Sequence, residues 1–269
     1  MSDIHLTAPG STIGGREPND NFARALDHAL RDHADADLIA ITGDLSDWGD
    51  REDYIRLGTL LSAAPMPVRL CIGNHDDRGA FLAAFPECAD LHGFAQHRID
   101  IAGFRCLFLD TKAENTHAGR YCAQRQAWLA EELAAHPGPF LIFMHHNPMP
   151  THLAPLDTIR LLDDQEFRTI VRPHRAAIAH IFFGHCHLPF AGSVAGIPAT
   201  SLRGTNHAGF PVWSETQLLS GADLPEAYGV VRLTRDYTSV IMTEYGYSGE
   251  IRAEGSPDYA DWNRTTMVR

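Results

Sequence analysis

Several short apolar runs in this chain end in the same way. LIAIT (38–42) runs into Gly43-Asp44, and VRLCI (68–72) into Gly73-Asn74-His75-Asp76. FLIFMH (140–145) ends on His145 and is followed by His146, while IAHIFF (178–183) runs into Gly184-His185-Cys186-His187. A strand buried on both faces reads as such a continuous run. Helical patterns separate the runs. NDNFARALDHALRDHA (19–34) spaces Phe22, Leu26 and Leu30 on one face, with Asn19 or Asp20 as the expected N-cap. REDYIRLGTLLSAA (51–64), CAQRQAWLAEELAAH (122–136) and QEFRTIVRPH (165–174) are the other expected helices. Strand–helix alternation of this kind predicts an α/β fold, in which sites gather beyond the carboxyl ends of strands.

The remaining pattern is β-rich. HRIDI (97–101) and FRCLFLD (104–110) flank Ala102-Gly103, a hairpin signal, and short strands are expected within 189–202, 227–234 and 238–245. The pattern as a whole predicts two sheets with helices on their outer faces. No repeat or charged linker divides the chain, so a single domain over 1–269 is expected, with a β-rich C-terminal part. Long connections at 146–163 and 204–226 are expected to shape access to the site. Phe210 and Trp213 in the second could stack on a nucleobase, or pack under the loop or against a second subunit.

The polar groups after the strands are joined by Asp3 and His5 at the start of the chain. Residues two apart in an extended segment point the same way. Asp3 and His5 can therefore share a metal, and His185 and His187 a site. Each feature alone is weak. A lone Asp after a strand is usually a turn residue, and a lone His usually sits satisfied at a surface. Five such loops in one order are very hard to obtain by chance.

Together, SDIH, GDLSDWG, GNHD, MHHNP and GHCH resemble the calcineurin-like metallophosphoesterase pattern DxH…GD…GNH…H…GHxH, from residue 2 to at least His187. GNHDDRGAF, FMHHNPMP and GTNH (204–207) look more narrowly like the bacterial branch of class III cyclic nucleotide phosphodiesterases and glycerophosphodiesterases. The fold this resemblance implies is a four-layer α/β/β/α sandwich of two mixed sheets flanked by helices. It implies that Asp3, His5, Asp44 and His187 hold one divalent metal ion. Asp44, Asn74, His145 and His185 hold the other, with Asp44 bridging. Oxygen and imidazole donors suit Fe, Mn, Zn or Co and need no thiolate, so Cys186 is read as packing. His75 is the implied proton donor to the leaving group and a phosphate contact. His146 and His207 are expected to bind substrate or to orient a ligand. Asp110 is read as structural, and so are the other nine histidines, at 28, 33, 92, 97, 117, 136, 152, 174 and 180.

The implied activity is hydrolysis of small phosphodiesters, 3′,5′-cyclic nucleotides or glycerophosphodiesters, by metal-activated hydroxide. A lipid-linked pyrophosphate hydrolase or a phosphomonoesterase is the alternative. A non-catalytic scaffold of the same fold is a remote one, since every ligand position is filled. Composition narrows the partners. With 34 acidic against 22 basic residues the formal net charge is −12, so a broad basic face for a nucleic acid duplex is not expected. Two divalent ions, offset by two carboxylates and a hydroxide, would still leave the centre near a charge of about +1. No run approaches the roughly 20 apolar residues of a membrane helix. The five cysteines lack CxxC spacing, as expected of reduced thiols in the cytoplasm. A homo-oligomer is left open. In the resembling family the Asp-x-His pair ends a first strand of several apolar residues, and only Met1 and Ser2 precede it here. Either the native chain begins further upstream, or upstream residues have been removed, or the strand is truly lacking, a truncated start being favoured; in this form a loosely held start with a weaker first metal site is expected.

Overall fold

A computed structural model of the chain describes residues 1–252. Its elements in chain order are α1 (Pro18–Asp32), β1 (Ile39–Thr42), α2 (Arg51–Leu61), β2 (Val68–Cys71) and α3 (Arg78–Ala84). There follow β3 (His97–Ile101), β4 (Phe104–Phe108), α4 (Ala123–Ala135), β5 (Phe140–Phe143), α5 (Ala154–Asp157), α6 (Asp164–Val171) and β6 (Ile178–Phe182). The last strands are β7 (Phe190–Val194), β8 (Ile197–Ser201), β9 (Ala208–Gly209), β10 (Gly221–Ala222), β11 (Tyr228–Leu233) and β12 (Thr238–Thr243).

The larger sheet has the order β3-β4-β5-β6-β8-β7. Its central strands β4, β5, β6 and β8 are parallel, and β3 and β7 pair antiparallel at the edges. Opposite it lie the parallel pair β1-β2 and the antiparallel hairpin β11-β12. Side-chain alternation explains the layering. Phe140 and Ile142 of β5 face one core with Leu129 and Leu133 of α4 and Phe167 of α6. Leu141 and Phe143 face a second core with Phe104, Cys106 and Phe108 of β4, with Leu38 and Ala40 at β1, and with Val231 and Val240 of the hairpin. Ile39 and Ile41 of β1 turn the other way, toward Phe22 of α1, Leu57 of α2 and Phe81 of α3. The result is the expected four layers, helices, sheet, sheet, helices. A cavity of about 530 Å³ lies between the sheets, lined by Leu38, Ala40, Phe104, Leu141, Phe182 and Val231 among others.

Several expectations are refined. The cap of α1 is Glu17, whose carboxylate accepts from the backbone N–H of Asp20, and Asn19 and Asp20 lie inside the helix. Pro18 at the first helical position fixes that start, since its ring presets φ and its missing N–H has no helical partner to lose. Ala102 and Gly103 both take positive φ, 49° and 81°, the turn that matches the twist of a tight hairpin. Helix α3, opening on the Asp77 cap, was not expected from the sequence.

The start of the chain is not loosely held. Thr42 donates its N–H to the Met1 carbonyl at 3.1 Å, Asp3 N–H reaches Gly43 O at 3.0 Å, and His5 N–H reaches Asp44 O at 2.9 Å. The Met1 ammonium donates to Ala40 O at 2.9 Å, and burial lowers its pKa to about 6. Ile4 and Leu6 are fully buried against the α1 side of β1. Backbone bonds to one neighbour and two apolar anchors therefore do what a full strand was expected to do.

Candidate metal centre

The loops after β1, β2, β5 and β6 converge with residues 3–5 at the carboxyl ends of the strands. One cluster joins Asp3, His5, Asp44 and His187, whose donor atoms all lie within 4.8 Å of one another. Within it His5 Nε2 stands 3.3 Å from His187 Nε2, His187 Nε2 is 3.3 Å from Asp3 Oδ1, and His5 Nε2 is 3.7 Å from Asp44 Oδ2. The second cluster is built around His145 Nε2, which lies 3.3 Å from Asp44 Oδ2, 3.0 Å from Asn74 Oδ1 and 3.3 Å from His185 Nδ1. Asp44 belongs to both.

These residues fit divalent ions. Asp3 Oδ2 is buried without a hydrogen-bond partner among the described residues, an arrangement costly unless a ligand satisfies it. Facing ring nitrogens at 3.3 Å match donors on a common ion, since ligands about 2.1 Å from a metal lie roughly 3.0–3.4 Å from each other. The protonation balance agrees. Burial would lower the His145 imidazole, but the Asp44 and Asp3 carboxylates overcome it and raise the pKa to about 9. Asp44 is itself held well below the carboxylate range: burial would raise it, and His145 and His5 outweigh that. A cation is thus favoured among these carboxylates. His5, by contrast, is lowered by burial.

The backbone that delivers the donors is unusual. Asp3, His5, Asp44, His185 and His187 have φ of 53°, 48°, 48°, 68° and 52°. The expected extended geometry is therefore wrong for both the Asp3/His5 and His185/His187 pairs. Left-handed residues turn the side chains inward, a conformation costing about 1–3 kcal/mol each that only surrounding structure maintains. Gly73 has a separate reason to be glycine: a Cβ there would overlap the Asp44 carboxylate and backbone nitrogen.

Supporting groups fix the imidazoles. Nδ1 of His5 donates to Asp47 Oδ1 at 2.9 Å, and Nδ1 of His145 donates to Thr42 O at 2.8 Å, which leaves each Nε2 lone pair facing the cluster. Asp76 is a buried carboxylate that accepts from Gly73 N, Ser46 N and Leu45 N at 2.7–3.1 Å and from the Tyr54 hydroxyl at 3.0 Å, tying the GD loop to the GNH loop. Burial and the nearby Asp44 charge push its pKa up to about 6. The sequence reading missed Asp47 and Asp76, although both stand inside the quoted motifs GDLSDWG and GNHD.

The other expected site residues fall as follows. His75 is half-buried, with its backbone N–H on Asp44 Oδ1 at 3.0 Å and Nδ1 on Asp47 O at 2.9 Å. His146 lies beside His145 and His185, but both of its nitrogens are engaged, Nδ1 with Thr111 Oγ1 at 2.7 Å and Nε2 with His117 O at 3.1 Å. It therefore braces the site without a lone pair to spare for an ion. His207 places its ring 4.2 Å from that of His187 and 5.0 Å from that of His5, and burial drives its pKa down. Cys186 packs in the core, as expected. Asp110 is structural, paired with Arg78 at 2.6 Å and Arg125 at 3.2 Å. His117 is exposed, as the surface reading has it, yet its Nδ1 lies 2.9 Å from Asn74 Nδ2. Phe210 and Trp213 are exposed, 47% and 71%, so they do not pack under their own loop.

Comparison with known proteins agrees with the geometry. The model of the calcineurin-like phosphoesterase family matches residues 1–189. A relative from Rhodopseudomonas palustris, named a probable cyclic nucleotide phosphodiesterase, is 33% identical over 93% of this chain and 93% of its own. A glycerophosphodiester phosphodiesterase of Enterobacter lignolyticus is 32% identical, covering 70% of this chain and 69% of its own. Among solved structures, a dimetal phosphatase from Danio rerio superposes with a TM-score of 0.62 at 17% identity, over 76% of this chain and 86% of that one, a likeness of fold. With the family model spanning most of the chain and all the strand-end loops that build the two clusters, this protein belongs to the calcineurin-like phosphoesterase family.

Proposed function

We propose that the chain is a dinuclear metal-dependent phosphodiesterase that hydrolyses small diesters, 3′,5′-cyclic nucleotides or glycerophosphodiesters. The observation that carries this reading is Asp44, a buried carboxylate shared between two clusters of metal-type donors. The calcineurin-like family binds two divalent ions, and the diester substrates follow the named activities of the relatives. In this reading Asp3, His5, Asp44 and His187 hold one ion, and Asp44, Asn74, His145 and His185 the other. The oxygen and nitrogen donors suit Fe, Mn, Zn or Co.

Two ions held there supply an activated water at neutral pH and positive charge for the phosphoryl oxygens. The chain's own residues do the rest. Asp47 orients His5, and Thr42 orients His145, so each donor is set before substrate arrives. His75 stands at the half-exposed lip, where its imidazolium can hand a proton to the departing alkoxide while Nδ1 stays on the Asp47 carbonyl. His207 borders the first cluster and closes its far side. The loops at 146–163 and 204–226 frame the approach, and the exposed Phe210 and Trp213 offer faces on which a base could stack.

The test is a panel of bis(p-nitrophenyl) phosphate, cyclic nucleotides, glycerophosphodiesters and phosphomonoesters, assayed with Mn²⁺ or Co²⁺ and after chelation. Diester turnover that disappears on chelation and returns with metal is expected. Full diester hydrolysis in metal-free protein, or turnover of monoesters alone, overturns the reading.

A further inference from the structure

His117 lies in the connection between β4 and α4, outside every recognised motif, yet it reaches the second cluster. Its Nδ1 is 2.9 Å from Asn74 Nδ2. An amide nitrogen only donates, so Nδ1 is the acceptor and the neutral ring carries its proton on Nε2. That contact also decides the orientation of the Asn74 amide. With Nδ2 on His117, Oδ1 is turned to His145 Nε2 at 3.0 Å, the side on which a metal donor is needed.

The loop around His117 is braced for the purpose. Its carbonyl accepts Nε2–H of His146 at 3.1 Å, and Nδ1 of His146 pairs with the Thr111 hydroxyl at 2.7 Å. Lys112 Nζ donates to the Asn74 carbonyl at 3.3 Å from the same loop. The His117 ring lies 5.4 Å from that of His75, and its outer edge is exposed. No hydrogen bond to its Nε2 is present among the described residues. His75 has the opposite tautomer: Nδ1 donates to Asp47 O, so its neutral ring has no proton on Nε2. Of the two imidazoles flanking Asn74, His117 is the one that offers a donor without being charged.

We propose that His117 is a substrate-binding residue, holding the Asn74 amide through Nδ1 and donating Nε2–H to an oxygen of the bound phosphodiester. The proposal rests on the dinuclear reading of the site. Three variants of the full chain separate its two halves. His117→Asn keeps an acceptor near Nδ1 and removes the Nε2 donor. His117→Gln moves its polar atoms toward Nε2, and His117→Ala removes both. Mn²⁺ affinity is measured by calorimetry without substrate. Phosphate inhibition, KM and kcat are measured on bis(p-nitrophenyl) phosphate with saturating Mn²⁺.

His117→Ala is expected to weaken the second Mn²⁺ by about 10- to 100-fold. His117→Asn should recover most of that affinity, while kcat/KM and phosphate affinity stay about 10- to 100-fold below wild type. Wild-type kcat/KM and phosphate affinity in His117→Asn would overturn the substrate contact. Unchanged Mn²⁺ affinity in His117→Ala would overturn the positioning of Asn74. A wild-type protein that binds no Mn²⁺ and turns over no diester instead defeats the dinuclear reading itself.

Discussion

Asp44 shows how much the site asks of single residues. It sits at φ 48°, accepts the His75 backbone N–H through Oδ1, and turns Oδ2 toward His145 and His5. Among the described residues Asp44 is the carboxylate that both clusters share, so its removal affects both. Its supports act more locally. Asp47 touches His5 and no donor of the second cluster, so Asp47→Ala should weaken the first metal by about 10- to 100-fold and leave the second nearly unchanged. Metal titration monitored by calorimetry checks this, and equal weakening of both sites would contradict it. His75→Ala should keep both metals and lower kcat by roughly 10²–10⁴-fold. The loss should be larger for alkyl than for p-nitrophenyl leaving groups, because p-nitrophenolate departs without a proton. Equal losses would leave His75 with phosphate binding alone.

At the scale of elements, the strand ends deliver the donors and the glycines let the loops approach each other. Gly73→Ala would drive a methyl group into Asp44, and the neighbour is backbone and a fixed carboxylate with no room to move. Loss of tight metal binding with near-native circular dichroism is expected, and unaltered metal affinity would argue that the two loops are freer than their contacts suggest. This is also where the sequence was most and least informative. β1, β2, β5 and β6 were legible because strands buried on both faces leave continuous apolar runs. The donor residues were legible because each follows such a run. The left-handed turns at Asp3, His5, Asp44, His185 and His187 were not, since non-glycine residues adopt them only when tertiary contacts impose them. Asp76 and Asp47 looked like ordinary loop carboxylates, and most of their partners lie tens of residues away, the Leu45 and Ser46 N–H groups and the Tyr54 hydroxyl for Asp76 and the His5 imidazole for Asp47. His117 had no signal at all: it becomes part of the site through the fold of one loop onto another. The secure hold on residues 1–6 was likewise hidden, because it depends on backbone bonds to β1 rather than on side-chain pattern.

The whole molecule carries a formal net charge of −12, yet it gathers the imidazoles of His5, His145, His185 and His187 around the Asp3 and Asp44 carboxylates at one end of the strands. An anionic substrate is therefore drawn by the local centre and not by the overall field. Among the described residues no helix is long and apolar enough to cross a membrane. Global stability should depend on acid through a histidine far from that centre. His97 at the head of β3 is stacked on Phe108 with neither ring nitrogen hydrogen-bonded among the described residues, and burial followed by the Arg69 charge lowers its pKa to about 4. The unfolded chain then takes up this proton first, near pH 6.5, so the folded state is favoured above that pH and loses the contribution as pH falls toward 4. The loss amounts to up to about 3 kcal/mol. His97→Phe should show a shallower fall in urea stability between pH 7 and 4.5, and an unchanged slope would assign the acid sensitivity elsewhere.

Both metal sites depend on the shared Asp44 carboxylate, and counting bound metals tests this most directly. Wild-type protein and Asp44→Ala are loaded with Mn²⁺, dialysed and analysed for bound metal, with circular dichroism confirming that both are folded. The expected result is about two ions per wild-type chain, with both lost or greatly weakened in the variant. A folded wild type that saturates at one ion or none, or an Asp44→Ala protein that keeps both at unchanged affinity, would contradict it.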